Sequence, residues 1–392
     1  MNLKEKLYQR LKTVTLYSAG QMLSVFSVLL LSLFIIKFHS VTLWGSYAEL
    51  LIWTNFFLIF LSFGSYGSLL KSFSSTPSKV NQLWVNNLLT RSILLIPSII
   101  LITYIPLFND VEVWVILLIL FQFLTQSFKV LVVFHREFKL SIFAEITFNL
   151  VLLGLLVLKI KTLDLNSLIQ IICLAYFFKS IIYSTFLIKG FSNIHYSFSL
   201  KELSISLPFF IPMLVGTVQI KMDMYYGSHF FDTVTLSKYQ ILINFLMLAQ
   251  MGSSFIVTPF IRIFYRSKDT LIQTIQNQFF YYGWAFSLVA VGIIYLMVNF
   301  IYGFEFNWYQ YLLVFLFIVP LLLHITLINE YYKKNLQYKV VVFASIIVFI
   351  QLFLGYFLIM NFEITGALSL KVIGQWLTVL ILWVWMKRNN RG

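Results

Sequence analysis

Residues 40–51 read SVTLWGSYAELL, and residues 233–244 read TVTLSKYQILIN. Val41-Thr42-Leu43 is followed by Tyr47, Val234-Thr235-Leu236 is followed by Tyr239, and each phrase opens a long apolar run. About half the chain separates them. What those runs are decides the fold. A helix of roughly 20 apolar residues crosses the ~30 Å of a bilayer's hydrocarbon. The 392-residue chain is 60% hydrophobic and 11% charged, with a mean hydropathy of +0.88. That is too little charge to cover a water-facing surface of this size.

Apolar runs recur along the whole length, at 14–37, 43–70, 88–108, 111–134, 141–158, 165–188, 204–227, 234–261, 279–301, 308–329, 339–360 and 365–386. They are continuous rather than alternating, which excludes a β-barrel. The sequence therefore predicts an all-α polytopic membrane protein with 12 transmembrane helices. Met1 to Lys12 is a short basic stretch leading straight into a full-length span, so no cleavable signal is expected. The single cysteine, Cys173, lies in an apolar run, where packing is its expected role.

The formal charge of +14 does not indicate nucleic acid, because the basic residues sit in short loops between spans. One set of loops carries Lys71, Lys79, Arg136, Lys139, Lys201, Arg266, Lys333 and their like; the other carries only Lys37, Lys159 and Lys161, with Asp110, Glu112, Asp164, Asp232, Glu305 and Glu363. The positive-inside rule then places both termini in the cytoplasm. Trp44, Trp114 and Trp308 fall at outer ends and Trp383 and Trp385 at an inner end, as aromatic belts require. The stretches 71–87 and 262–278 read as amphipathic cytoplasmic linkers lying in the interface.

With 12 spans, the two echoing phrases open the second and the eighth. These are equivalent positions in two six-helix halves, and an even number per half makes the repeat parallel. The expected organisation is an N-terminal half at 1–190, a cytoplasmic linker at 191–203 and a C-terminal half at 204–392. Two half-bundles with a cleft between them suit alternating access.

Several stretches carry a family resemblance. WGSYAELLIWTNFFLIFLSFGSYGSLLKSF resembles the second span of the O-antigen (Wzx-like) polysaccharide flippases of the multidrug/oligosaccharidyl-lipid/polysaccharide (MOP) exporter superfamily. Gly45 and Tyr47 stand at its outer edge and Gly64 and Gly67 at its end. LPFFIPMLVGTVQIKMDMYYG is similar to their seventh span, with Pro208 at its start and Asp223 near its outer end; the eighth ends at Pro259, and Gly366-Ala367 opens the twelfth. The resemblance covers essentially the whole chain, in order. It implies a MOP/MATE-like fold in a bacterial inner (plasma) membrane. It also implies a flippase whose partners are a polyprenyl-diphosphate-linked oligosaccharide, membrane lipids and other membrane proteins of polysaccharide assembly.

Ionisable residues at span depth are costly and are read as functional unless they can snorkel. Lys238, Lys129 and Glu145 stand near span ends and are expected to snorkel. Lys179 and Lys371 lie deeper, in the sixth span of each half, and with Lys221 are candidates to hold the cargo's diphosphate. Pairing with a neighbouring carboxylate is the alternative. Asp223 is the leading candidate for Na⁺ or H⁺ coupling and Glu49 the second, with an ion pair to Lys238 or Lys371 as the alternative reading. All seven arginines fall at or beyond cytoplasmic ends, so an arginine clamp of the kind related flippases carry is not expected; Arg91 and Arg262 are candidates at the cytoplasmic mouth. Pro208 and Pro212 are the hinge candidates.

No nucleotide-binding loop, zincin motif or Cys/His cluster is present, so neither an ATP-driven pump nor an enzyme is expected, and no resident cofactor. Three other readings stand beside the flippase. A polysaccharide polymerase is disfavoured by outer loops of about a dozen residues or fewer, and a drug/cation antiporter by lysines along the path. A scaffold for the polysaccharide machinery remains open.

Overall fold

The computed structural model describes residues 3–188, 197–260 and 269–389. Hydrocarbon offers no partner for backbone N–H and C=O groups, so each apolar run closes its hydrogen bonds internally as a helix. The chain forms α1 (Leu3–Phe38), α2 (Val41–Ser62), α3 (Ser65–Ser75), α4 (Val80–Ser92), α5 (Leu95–Thr103), α6 (Glu112–His135), α7 (Phe138–Leu158) and α8 (Leu165–Leu187). It continues as α9 (Lys201–Phe230), α10 (Thr233–Val257), α11 (Asp269–Leu296), α12 (Trp308–Ile318), α13 (Leu321–Lys333) and α14 (Gln337–Asn389). Among the described residues, 11 helical stretches are long and apolar enough to cross a membrane. The chain is a multi-pass membrane protein.

The last stretch is too long for one crossing. α14 has 53 residues, and Glu363 leaves helical geometry at φ 45°, ψ −125°. On either side of it the helix folds back. Gln351 Nε2 donates to the Leu370 carbonyl at 3.4 Å, and Gly366 sits so close to the Leu358 carbonyl that a Cβ would overlap it. The two arms, 337–362 and 364–389, correspond to the two runs read at 339–360 and 365–386.

Other breaks also have local causes. Pro320 has no N–H for the Leu316 carbonyl, so α12 ends and α13 begins there, and Trp376 Nε1 donates to the freed oxygen at 2.9 Å. Pro97 likewise cannot bond Ile93, where α4 gives way to α5. The break between α2 and α3 needs left-handed backbone at Phe63 (φ 41°) and Gly64 (φ 68°). The start of α9 fills this notch: Phe210 stacks on Phe63 with ring centroids 4.4 Å apart, and Ser206 and Ser68 hydroxyls meet at 2.9 Å.

The stretch 71–87 is not an interfacial linker. Its first residues extend α3, and Val80 onward forms α4, whose Trp84 is buried, stacks on Phe128 of α6 and donates to the Ser127 carbonyl at 2.8 Å. At the second predicted linker, 269–278 belongs to α11, with Ile272 buried; 262–268 lies outside the described residues.

The chain divides into two compact units, Met1–Leu214 and Val215–Gly392, with the division inside α9. The first unit packs a core around Phe73, Trp84, Leu131 and Tyr183; the second packs one around Leu327, Tyr331 and Leu382 and another around Val257, Ile272 and Leu322.

The two echoing phrases open helices in one register. Ser40 caps α2, its hydroxyl accepting from Leu43 N at 3.0 Å; Asp232 caps α10, accepting from Thr235 N at 2.9 Å. Counted from those caps, Tyr47 and Tyr239 occupy the same helical position, and both are buried. Hydrogen bonds to Thr235 and Ser167, respectively, hold the cap carboxyls of Asp232 and Asp164 below the usual carboxylate range.

Gly64→Ala meets both a disfavoured φ and an overlap with the Phe210 backbone nitrogen, and is expected to cost about 2 kcal/mol. Gly154→Ala, in open space on α7, is expected to leave stability unchanged or raise it by about 0.5 kcal/mol. Thermal unfolding in detergent separates the two; equal midpoints would mean the notch is not held.

Candidate functional site

Charge buried at span depth needs a countercharge or a full set of hydrogen bonds, and in each unit two lysines gather around one carboxylate. In the first unit, α8 carries Lys179 and the neighbouring α7 carries Glu145. Lys179 Nζ donates to Glu145 Oε1 at 2.6 Å, with side chains 6% and 4% exposed. The ammonium lies 5.1 Å from the Phe148 ring centroid and 5.5 Å from that of Tyr176, so aromatic faces hold it as well. Asn149 Nδ2 donates to the Glu145 carbonyl at 2.8 Å and to Ser27 Oγ at 2.7 Å, tying this turn of α7 to α1.

Lys129 of α6 completes the group. It lies close enough to Lys179 and Glu145 for their charges to act on it, yet makes no hydrogen bond or ion pair among the described residues. Lys129 and Glu145 line one cavity of about 200 Å³, together with Tyr17, Ser24, Tyr66 and Ser141.

In the second unit, Asp223 of α9 is buried between two partners. Lys371, on the second arm of α14, places Nζ 3.0 Å from Asp223 Oδ1 and donates to the Ile220 carbonyl at 2.7 Å. The contact with Oδ1 is an ion pair without hydrogen-bond alignment. Tyr239 Oη donates to Asp223 Oδ2. Lys221 is half-buried within Coulomb range of both Asp223 and Lys371, but stands two residues from Asp223 and off its helix face. Each unit thus assembles two lysines and one carboxylate, a formal excess of one positive charge.

Depth differs between the groupings. Lys179 stands about 12 Å along α8 from Leu187, and Lys129 about 9 Å along α6 from His135, toward the ends that lead into basic loops. Asp223 stands about 10 Å along α9 from Phe230, toward the end that leads to Asp232. Tyr239 and Lys371 lie at comparable distances from Asp232 and Glu363.

The remaining candidates lie elsewhere. Arg91 is buried, at 2% exposure, rather than opening on a mouth. It donates to Asn87 Oδ1 at 2.8 Å, Ser127 Oγ at 3.1 Å and the Leu61 carbonyl at 3.3 Å, and stacks on Phe123. The Leu61 oxygen belongs to the last turn of α2, so Arg91 satisfies a carbonyl freed by the Phe63–Gly64 break. Arg262 lies outside the described residues. Glu49 is half-buried on α2 with no hydrogen bond or ion pair among the described residues. α9 runs as one helix through Pro208 and Pro212. His324 packs with its Nδ1 3.0 Å from Gln375 Nε2.

Three residues escaped the sequence reading; Lys129, counted with Glu145 among the snorkelling residues, is half-buried within reach of Lys179 and Glu145. Glu145 was set aside as a snorkelling residue near a span end; its signal was an unmatched carboxylate at a depth comparable to Lys179. Glu330 is 1% exposed, accepting from Gln276 Nε2 at 2.7 Å and pairing with Lys334 at 3.0 Å. Its signal was the i, i+4 spacing to Lys334.

No family model matches the sequence, nor does any curated protein. Among solved structures, the chain is similar to the lipid II flippase MurJ in an inward closed conformation, with a TM-score of 0.66 and 16% identity over 95% of this chain and 87% of that one. It is also similar to the eukaryotic MATE transporter AtDTX14, with a TM-score of 0.53 and 12% identity over 95% of this chain and 93% of that one. The fold is of the MurJ and MATE kind. At these identities the likeness concerns the fold alone.

Lys179→Met removes the only ion-pair partner that Glu145 has among the described residues and is expected to cost about 3 kcal/mol, the low end for a broken buried pair because the Lys129 ammonium remains nearby. Adding Glu145→Leu in the same molecule is expected to recover most of that loss. Chaotrope unfolding of both singles and the double gives the coupling; additive losses would show that the pair does not form.

Proposed function

We propose that this protein is a flippase that carries a lipid-diphosphate-linked oligosaccharide, an O-antigen or polysaccharide repeat unit, across the bacterial inner membrane. The observation that carries this reading is the excess of lysine at span depth. The charge grouping in each unit sets two lysines against one carboxylate, and an uncompensated ammonium in a low-dielectric path attracts an anion and repels a cationic drug. A diphosphate has the charge and the acceptor oxygens to use such lysines. The fold shared with a lipid II flippase is compatible with cargo of this class.

In this reading the chain makes 12 crossings in two six-helix halves related by duplication, with both termini in the cytoplasm. The sugar-diphosphate head enters a polar path from the cytoplasm while its lipid tail stays in the bilayer. Lys179, Lys371, Lys221 and Lys129 supply its positive contacts, and the halves rock to open outward. Pro208 and Pro212 of α9 act as hinges in that motion. Na⁺ or H⁺ acts through Asp223 or Glu49, and other polysaccharide-assembly proteins receive the product. No chemistry on the cargo is required, so the protein is not an enzyme.

A drug/cation antiporter is the second reading. The MATE likeness and the buried Asp223 carboxylate favour it, although Lys371 already neutralises that carboxylate.

Deleting the gene in its native host and extracting lipid-linked sugars tests the proposal. Complete single repeat units trapped on the cytoplasmic leaflet are expected. Single units that reach the surface without lengthening would instead indicate a polymerase, and unchanged glycolipids would favour the antiporter.

A further inference from the structure

The first unit's charge group has a feature that the flippase reading does not use. Glu145 belongs to two environments at once. Its Oε1 holds Lys179, and the residue also forms part of the wall of the 200 Å³ cavity onto which Lys129 opens. A water takes about 30 Å³ of liquid, so the cavity has room for several waters or for a phosphate group. An anion entering there meets one attractive ammonium, Lys129, and one repulsive carboxylate, Glu145, while the second ammonium lies behind that carboxylate.

We infer that Glu145 is a built-in substitute for the cargo's phosphate: it occupies Lys179 in the empty protein, is displaced when a phosphate enters the cavity, and returns to drive release. The inference rests on the flippase reading and specifies how its cytoplasmic-side anion site works.

Three observations support an exchange rather than a permanent pair. Two lysines match the two negative charges of the cargo's diphosphate, one on each phosphate, whereas Glu145 supplies only one. Lys179 is held by more than its carboxylate, because the Phe148 and Tyr176 rings keep the ammonium where it is when Glu145 leaves. The backbone at Glu145 is fixed through Asn149 to Ser27, so the exchange needs a side-chain rotation and not a helix shift. The groups facing Glu145 are Lys129 from α6, Lys179, Tyr176 and Tyr183 from α8, and Tyr17 from α1 across the cavity.

A tethered competitor acts at a high effective concentration. Its removal strengthens cargo binding and slows release, the opposite of what loss of a structural residue does. The test uses the full-length protein in detergent with farnesyl diphosphate and inorganic pyrophosphate as probes. Glu145→Gln is expected to bind both at least 10-fold more tightly than the unaltered chain and to deliver repeat units to the cell surface more slowly. Adding Lys129→Gln is expected to abolish the gain. If Glu145→Gln does not fold, Glu145→Asp draws the carboxylate back by one methylene and is expected to give about a 3-fold gain.

Equal or weaker binding by the folded variants overturns the inference, as does absence of binding at millimolar probe. The flippase reading fails separately. If Lys129→Gln and Lys179→Gln leave surface delivery of repeat units intact, neither lysine handles cargo. If they block delivery while Glu145 variants bind like the unaltered chain, the flippase stands and the substitution role falls.

Discussion

Hydrocarbon satisfies no hydrogen bond and solvates no charge, and the rest of this structure follows from that absence. It makes the backbone helical. It also means that wherever a helix stops inside the bilayer, something must take the released carbonyl. Arg91 takes the Leu61 carbonyl at the Phe63–Gly64 break, and the Trp376 indole takes the Leu316 carbonyl at Pro320. These two irregularities are therefore paired with polar donors from neighbouring helices, and neither donor is free to serve a ligand.

The same constraint sorts the charges. Lys179, Asp223 and Lys371 are deeply buried and each has a partner; Lys129 and Lys221 are half-buried and have none within hydrogen-bond distance among the described residues. A buried pair contributes little net stability compared with an apolar pair of the same volume, whereas losing one member is expensive. Such pairs are thus poorly explained as stabilisers, and in the proposed flippase they are charge kept at depth for the cargo. Lysine suits that task because its single ammonium on a flexible stem can change partners, where an arginine fork locked to two or three acceptors cannot. Arg91, with three acceptors and a ring, shows the contrast within this chain.

Membrane character and most spans were legible because hydropathy integrates over about 20 residues and tolerates local error. Partnership was less legible. The sequence set Lys371 against Asp223 as one option, and depth along the helices agrees with it; Lys179 and Glu145 lie 34 positions apart on adjacent spans, and a hydropathy reading counted Glu145 as a snorkelling end residue. Snorkelling depends on which way a side chain points, and depth alone does not supply that. The helix at 80–92 was missed for a related reason. Asn, Gln, Thr and Arg lower its hydropathy, yet Asn87 and Arg91 are buried and bonded to each other, Arg91 reaches α2 and α6, and the buried Thr90 hydroxyl accepts from Ser199 N.

The cap register sharpens the argument about the two halves. Read from Val-Thr-Leu, the echo at 41 and 234 is imperfect, since the tyrosine follows at different distances. Read from the capping residue, Ser40 or Asp232, Tyr47 and Tyr239 coincide, because the second helix carries Thr233 before the shared letters. A helix measures position from its first hydrogen-bonded turn, so the cap is the physically relevant origin. The two tyrosines nevertheless do different work. Tyr239 donates to Asp223, while Tyr47 packs its ring 5.5 Å from Trp44. The buried carboxylate of the first unit, Glu145, is paired with Lys179 and not with Tyr47. The cap fixes where each tyrosine stands along its helix, and the side chains packed around that position decide what it does.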